Sequence, residues 1–315
     1  MSRPSEFDLI RDCFASGYPL ADDLITGVGD DCSVIRPPFP YDLAQSIDTQ
    51  VADVHFPASA PAHLIASRAL RCAASDLAAM GARPQGFHLA LTLPDNDPSW
   101  LGDFADGLRR TAAQLGLPLL GGDTTRGTQL VITVAVQGYL PQGQRLERSG
   151  AQAGDDIWLS GPVGAAALIL PTVLAAPATD NQATAPYYHP SVHLGFGQKL
   201  LSLASAAMDI SDGLLQDAGH IARASDTGLS FDACSIPTAV SREHPRWSDC
   251  LTGGDDYQIL FTASPENASA IEAAAMAESL SQCRRVGRVT AESGKVSVWD
   301  GAQLLNFQTQ GYEHF

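Results

Sequence analysis

The residues best suited to chemistry in this chain are aspartates, and they recur in one setting. They stand where an apolar run or a glycine turn ends: Gly27-Val28-Gly29-Asp30-Asp31, Ser46-Ile47-Asp48-Thr49, Gly121-Gly122-Asp123-Thr124, Met208-Asp209-Ile210-Ser211-Asp212-Gly213 and Gly253-Gly254-Asp255-Asp256. Asp76 lies inside an otherwise apolar helical pattern, so it sits either at the helix surface or against a partner. Only eight of the 35 acidic residues are Glu, and none falls between Phe7 and Leu146. Asp is the shorter carboxylate, favoured in turns and as a ligand for hard cations. Two carboxylates about 4 Å apart repel by roughly 4 kcal/mol at an effective dielectric near 20, so several that converge need cations. An oxygen-only donor set selects Mg²⁺, Mn²⁺ or Ca²⁺ over Zn²⁺. Paired glycines let backbone amides approach an anion closely, and Arg suits phosphate oxygens. Cations, close backbone and Arg together are the equipment of phosphoryl transfer. The alternative at each single site is a turn or a helix cap.

Composition narrows the choice. The chain has 315 residues, 45% of them hydrophobic and 17% charged, enough for a sizeable core and for about two domains. A net charge of −16 argues against a partner bound through a basic surface, nucleic acid and anionic membrane included. The cations are 17 Arg and only Lys199 and Lys295, a bias that codon usage in a GC-rich genome also produces. The six cysteines form no CxxC pair and no Cys/His ligand spacing, which points to a reduced, cytoplasmic protein. The N-terminus has no apolar signal core, and the most apolar stretch, 163–178, is interrupted by Pro171 and Pro177. There is no GxxxxGK[ST], no EF-hand loop and no kinase HRD or DFG run; the Gly27-x-Gly29 pair is weak as a dinucleotide signal.

The elements that must position these acids alternate. Helices are expected over 6–15, from Pro61 to Met80, from Asp97-Pro98 to Leu115-Gly116, from Gly164, and over 191–205, 212–224 and 265–280. Strands are expected over 43–48, 86–93, 117–120, 130–139, 157–159, 206–210, 257–262, 286–289 and 296–299. The stretch 172–190, rich in Ala and Pro, reads as a surface loop, and 141–155 as a turn-rich boundary. The fold class is therefore α/β (α+β): two mixed α/β domains, 1–145 and 146–315.

The runs 27–35, 46–56, 74–84, 89–94, 119–127, 148–161, 208–228, 253–262 and 311–315 are collinear and resemble the thiamine-monophosphate kinase family. That family lies in the superfamily of aminoimidazole ribonucleotide synthetase and selenophosphate synthetase. The SDLAAMGA run at 75–82 and the terminal GYEHF favour the kinase over its relatives. The resemblance implies ATP-dependent phosphorylation of thiamine monophosphate to thiamine diphosphate, the last step of thiamine diphosphate biosynthesis. It implies a cytoplasmic homodimer in which N-terminal sheets pair into a barrel-like interface. It implies ATP as co-substrate and several Mg²⁺ ions held by Asp31, Ser46, Ile47 (through its carbonyl), Asp48, Asp76, Asp123, Asp209 and Asp212. Gly122, Asp123, Arg148 and Ser211 would bind ATP, and His55, Asp255 and Tyr312 the thiamine monophosphate. Asp48, Asp123, Asp212 and Arg148 would carry catalysis. His55 has an alternative as a hydrogen-bonded strand histidine, and Tyr312 as packing for the C-terminus.

The chain departs from the family pattern at named positions. Ile47 stands where Thr is usual, Asp255 where Glu is usual with Asp256 able to share its role, and Asp53 where Gly is usual. His189 and His193 lie in a stretch where Arg is frequent, so a phosphate or subunit contact there would be weaker and pH-dependent. The rival readings are another ATP-dependent superfamily member and a non-catalytic Mg-nucleotide-binding protein. The selenophosphate synthetase reading needs a reactive Cys in a Gly-rich N-terminal loop, whereas Cys13 falls in the first expected helix.

Overall fold

The computed structural model describes residues 14, 17–19, 22–26, 34–307 and 311. The expected first helix, Asp31 and Tyr312 lie outside the described residues. The fold divides into two compact units, Met1–Leu77 with Arg83–Gly143 and Thr172–His189, and Ala78–Ala82 with Gln144–Pro171 and Pro190–Phe315. No described helix is long and apolar enough to cross a membrane.

In the first unit, β1 (Leu24–Thr26) and β2 (Val34–Ile35) form a small antiparallel ribbon. A four-stranded sheet follows, built from β3 (Tyr41–Val51), β4 (Arg83–Leu93), β5 (Leu119–Arg126) and β6 (Val131–Pro141) in the order β3-β6-β4-β5. The β4–β5 pair is parallel and the others antiparallel. Two helices accompany it, α1 (Ala62–Met80) and α2 (Pro98–Leu115). Both ends of α2 are written locally. The Asp97 side chain accepts the Ser99 N–H, Pro98 starts the helix, and Gly116 closes it at φ 65°. Phe87, Leu89, Leu91, Ile132, Val134 and Val136 bury one face of the sheet, and Leu64, Ile65, Leu70, Phe104 and Leu108 are the buried residues of the helices. The opposite face carries Ile47, which is 69% exposed.

The second unit holds a seven-stranded sheet of β7 (Asp156–Leu159), β8 (Ala206–Asp209), β9 (Gly228–Asp232), β10 (Ile259–Ala263), β11 (Arg284–Thr290), β12 (Val296–Asp300) and β13 (Gln303–Leu305). Its order is β13-β12-β9-β11-β7-β10-β8, with only β12–β9 parallel. The helical elements of this half of the chain are α3 (Ala165–Ala175), α4 (Ala185–Tyr188), α5 (Leu194–Leu200), α6 (Leu214–Ala224), α7 (Asp249–Thr252) and α8 (Ala268–Ala277). Ile157, Leu159, Ile210, Leu214, Leu229, Phe231, Leu260 and Val286 belong to its core.

Three expectations change. The strand expected over 117–120 continues to Arg126, so Gly121-Gly122-Asp123 is sheet, not a turn. The segment 172–190 is a surface loop only in part: 176–183 is mostly exposed turn, whereas both ends are helical. Helix α3 runs through Pro171 to Ala175, and Tyr187 and Tyr188 of α4 are buried. Composition hid them, because two aromatics among Ala and Pro still bury much apolar area. The helix expected over 191–205 shrinks to α5, and β9 and β13 were not anticipated.

Candidate active site

The first unit gathers Ser46, Asp48 and Asp76. Pairing with β6 sets Ser46 opposite Val136, Asp48 opposite Val134 and Gln50 opposite Ile132, so all three side chains take the face that these apolar residues bury. Helix α1 lies over that face, since Asp76 accepts the Ser46 hydroxyl at 2.5 Å. Asp76 is thus a partnered acid among the buried Ala73, Ala74 and Leu77. Burial raises the Asp48 carboxyl above its ordinary range; His55, Gln50 and Arg68 act against that rise. A hydroxyl and two carboxylates, one of them half-desolvated, match the donors of a hard cation such as Mg²⁺.

His55 sits on the turn that follows β3. Its Nδ1 accepts the Val51 N–H at 3.0 Å, which places the ring proton of the neutral tautomer on Nε2. Its carbonyl accepts the Tyr187 hydroxyl at 2.8 Å and the Arg68 Nε–H at 3.2 Å. Arg68 is buried, stacks 4.1 Å over the Tyr187 ring and donates to the Tyr187 carbonyl at 2.9 Å. Neither Arg68 nor Tyr187 was singled out in the sequence. The signal for Arg68 was an Arg standing in the apolar Ile65-Ala66-Ser67-Arg68-Ala69-Leu70 run, as Asp76 does later in the same helix. Asp53, where Gly is usual, adopts φ 61°, and its carboxylate accepts the Ala58 N–H at 2.9 Å.

Asp123 does not join that group within one chain. It lies on β5, the other edge of the sheet, opposite Ala90 in the row Thr49–Thr133–Ala90–Asp123. Asp48 belongs to the adjacent row, Asp48–Val134–Leu89–Gly122, which alternation turns to the other face. Three strand spacings separate the edges, about 14 Å along the sheet. Ile47 shares the open face with Ala135 and His88, so its side chain points away from Ser46 and Asp48.

The second unit builds its group where β8 meets α6. Asp209 ends the strand and is buried, and Ile210-Ser211-Asp212-Gly213 turns into the helix. The 252–257 segment runs alongside: Tyr257 N–H donates to the Ile210 carbonyl at 2.7 Å and Asp255 N–H to the Ser211 carbonyl at 2.9 Å. Glycine is required on both sides of this contact. A Cβ on Gly213, at φ 126°, would stand 2.9 Å from the Thr252 carbonyl, and one on Gly254 would collide with the Ser211 carbonyl. Asp255 adopts φ 70° and accepts the Tyr257 hydroxyl at 3.1 Å. Asp256 points elsewhere. It is buried and its Oδ1 accepts the Gly164 N–H, at the start of α3, at 2.7 Å.

Asp217, in the first turn of α6, carries no distinguishing signal in the sequence. It is 1% exposed, and its Oδ2 accepts the N–H groups of Ser211, Asp212 and Gly213 at 3.0, 3.1 and 3.2 Å. Burial, then the neighbouring Asp212 and Asp209, push its carboxyl up to about 7. Asp212, Asp217 and His220 present oxygen or nitrogen atoms within 4.8 Å of one another, a grouping that fits a cation. Burial lowers the His220 ring, with Arg223 and Arg148 adding to it and Asp212 acting against it. The Arg148 carbonyl accepts the Ser225 hydroxyl at 3.1 Å, tying its strand of chain to the end of α6.

Residues 29–140 match the AIR synthase related protein N-terminal domain, and residues 152–300 match the corresponding C-terminal domain. The thiamine-monophosphate kinase of Escherichia coli (strain K12) is 39% identical, over 98% of this chain and 98% of that protein. The crystal structure of thiamine-monophosphate kinase from Stenotrophomonas maltophilia K279a superposes with a TM-score of 0.81 at 37% identity, covering 90% of this chain and 93% of that one. AaThiL complexed with AMPPCP and TMP shares the fold, with a TM-score of 0.75 at 23% identity, covering 98% of this chain and 97% of that one. The chain belongs to the thiamine-monophosphate kinase family, built from the N- and C-terminal domains of the AIR synthase related proteins.

Proposed function

We infer that this chain transfers the γ-phosphoryl group of ATP to the phosphate of thiamine monophosphate, giving ADP and thiamine diphosphate. The observation that carries the reading is the end-to-end match to kinases of this activity, 39% identical over 98% of the chain. The oxygen-only donor groups on β3, α1 and the β8–α6 turn support it. The acceptor is already an anionic phosphate, so no strong general base is required. The barrier is the approach of two anions, which positioning and charge neutralisation lower.

The residue roles follow from what each side chain can do. Mg²⁺ supplies the neutralising charge and a template for phosphate oxygens. Several such ions are expected, with Ser46, Asp48, Asp76, Asp123, Asp209 and Asp212 divided among them and the Ile47 carbonyl and Asp31 completing the set. Arg148 binds phosphate oxygens by charge-assisted hydrogen bonds, and Gly122 and Ser211 bind ATP. His55, on a turn that Arg68 and Tyr187 hold, would face the thiamine monophosphate. Asp255, oriented by the Tyr257 hydroxyl, faces the cationic thiamine moiety, and the family resemblance gives Tyr312 a role toward the same substrate.

A cytoplasmic homodimer is part of this reading. Strand β3 is an eleven-residue edge carrying exposed Tyr41, Leu43 and Ile47, the kind of edge that a second copy covers. The division into 1–145, for ATP, Mg²⁺ and dimerisation, and 146–315 is supported by family matches that end at 140 and resume at 152. A coupled ADP-release assay with a panel of acceptors tests the function. ADP release that depends on thiamine monophosphate supports it. Release dependent on another acceptor would identify a different superfamily activity, and ATP binding without release would identify a nucleotide-binding protein.

A further inference from the structure

A cavity of about 400 Å³ opens between α1, α2 and the 180–189 segment of the first unit. Its walls carry His63, Ser67, Arg71, Arg110, Asp180 and His189. His63, Ser67 and Arg71 stand at i, i+4 and i+8, one stripe of α1. Asp76 lies about 140° round that helix from Arg71. Gly107 of α2 admits the stripe, since a Cβ there would collide with the His63 backbone.

The two imidazoles are aimed. His63 Nδ1 is held by Asp103 at 2.9 Å, and His189 Nδ1 by the Ser67 hydroxyl at 2.7 Å. Their Nε2 atoms face the same carboxylate, Asp180, at 3.8 and 3.6 Å. Those separations exceed a hydrogen bond. Arg71 Nη2 donates to Gln114 Oε1 at 2.5 Å and Nε to Ser67 Oγ at 3.3 Å, which fixes its guanidinium in the wall. Arg110 contributes a second guanidinium near Asp103. Two Arg and two oriented His share one cavity, in a chain of net charge −16, with a single half-exposed carboxylate that both His rings face at ion-pair distance.

We propose that this cavity binds a phosphate-class oxyanion, free phosphate or the phosphate end of a small phosphomonoester, in place of the Asp180 carboxylate. Phosphate carries more charge than a carboxylate and more acceptor oxygens, so it accepts from the His189 Nε2–H and from guanidinium N–H groups of the wall at once. The volume leaves room beyond the phosphate for a small organic group. The inference is independent of the kinase reading, because the lining residues take no part in it.

The test is calorimetric titration of the full chain with inorganic phosphate and, separately, with glycerol 3-phosphate. A chelator is present and nucleotide absent, so that cation-dependent phosphate binding is silent. Asp180→Asn removes the competing carboxylate and is expected to tighten binding about tenfold, and Arg71→Gln to loosen it about tenfold. Tighter binding of the ester than of phosphate identifies a phosphorylated metabolite as the occupant; equal binding identifies free phosphate. Equal affinity in wild type and both variants would overturn the proposal, as would the absence of binding to Asp180→Asn. If Arg71→Gln fails to fold by circular dichroism, Arg110→Gln takes its place with the same expectation.

Discussion

Replacing Asp217 by Asn isolates the electrostatics of the β8–α6 turn. The Asp217 carboxyl is pushed from its ordinary 3.8 up to about 7 by burial, then by Asp212 and Asp209. The folded chain therefore keeps this proton up to about pH 7, whereas the unfolded chain releases it near pH 3.8. Between those limits the folded state binds more protons than the unfolded one, so stability falls as pH rises through the window. At about 1.4 kcal/mol per pH unit, the interval corresponds to a ceiling of roughly 4 kcal/mol. Asn keeps a carbonyl oxygen for the N–H groups of Ser211, Asp212 and Gly213 and carries no charge at any pH. The variant is expected to match the wild type near pH 4 and to exceed it increasingly up to about pH 8, by at most roughly 4 kcal/mol. Urea unfolding with a chelator present, at several pH values, reads the difference; Trp158 and Trp247, both buried in the second unit, serve as probes. Millimolar Mg²⁺ is expected to narrow the gap by neutralising Asp212 and Asp209. A difference that does not change with pH, or a wild type more stable than the variant at high pH, would refute the reasoning.

Four further outcomes follow from named contacts. Asp48→Asn and Asp123→Asn each are expected to lower kcat by at least about 10²-fold, and near-wild-type turnover in either would remove that residue from the machinery. Asp255→Ala is expected to raise KM for thiamine monophosphate while leaving KM for ATP alone; the reverse pattern would place it against the nucleotide. Gly254→Ala forces a methyl group into the Ser211 carbonyl. It is expected to cost about 2 kcal/mol or more of stability in thermal unfolding, and a neutral result would show that the 252–257 segment can move aside. Arg68→Met removes the donor to the His55 and Tyr187 carbonyls. A loss of about 3 kcal/mol is expected, together with a raised KM for thiamine monophosphate; lost stability with unchanged KM would make Arg68 purely structural.

Much of the donor set was legible because its chemistry is local. Asp after a glycine or at a strand end is visible in any single stretch, and the caps of α2 could be read from Asp97, Pro98 and Gly116. What stayed hidden depends on which strands and helices meet. The partner of Asp76 lies on β3, thirty residues earlier, and nothing in the helix names Ser46. Asp217 reads as an ordinary acidic residue in a first helical turn; only the fold shows three backbone N–H groups converging on it. Asp48 and Asp123 look equivalent in sequence, and the pairing register alone sends them to opposite edges and faces. The 172–190 stretch misled because Ala and Pro outweigh two tyrosines in composition, whereas in the fold the tyrosines decide burial.

Transfer of the γ-phosphoryl group to the phosphate of thiamine monophosphate is the central event, and a labelled donor reads it. ATP carrying ¹⁸O in its γ-phosphoryl oxygens is incubated with thiamine monophosphate, Mg²⁺ and the full chain, and the products are weighed by mass spectrometry. The account predicts thiamine diphosphate with the label in its terminal phosphoryl group, formed in step with ADP. ADP accompanied by labelled inorganic phosphate and no labelled thiamine diphosphate would contradict it.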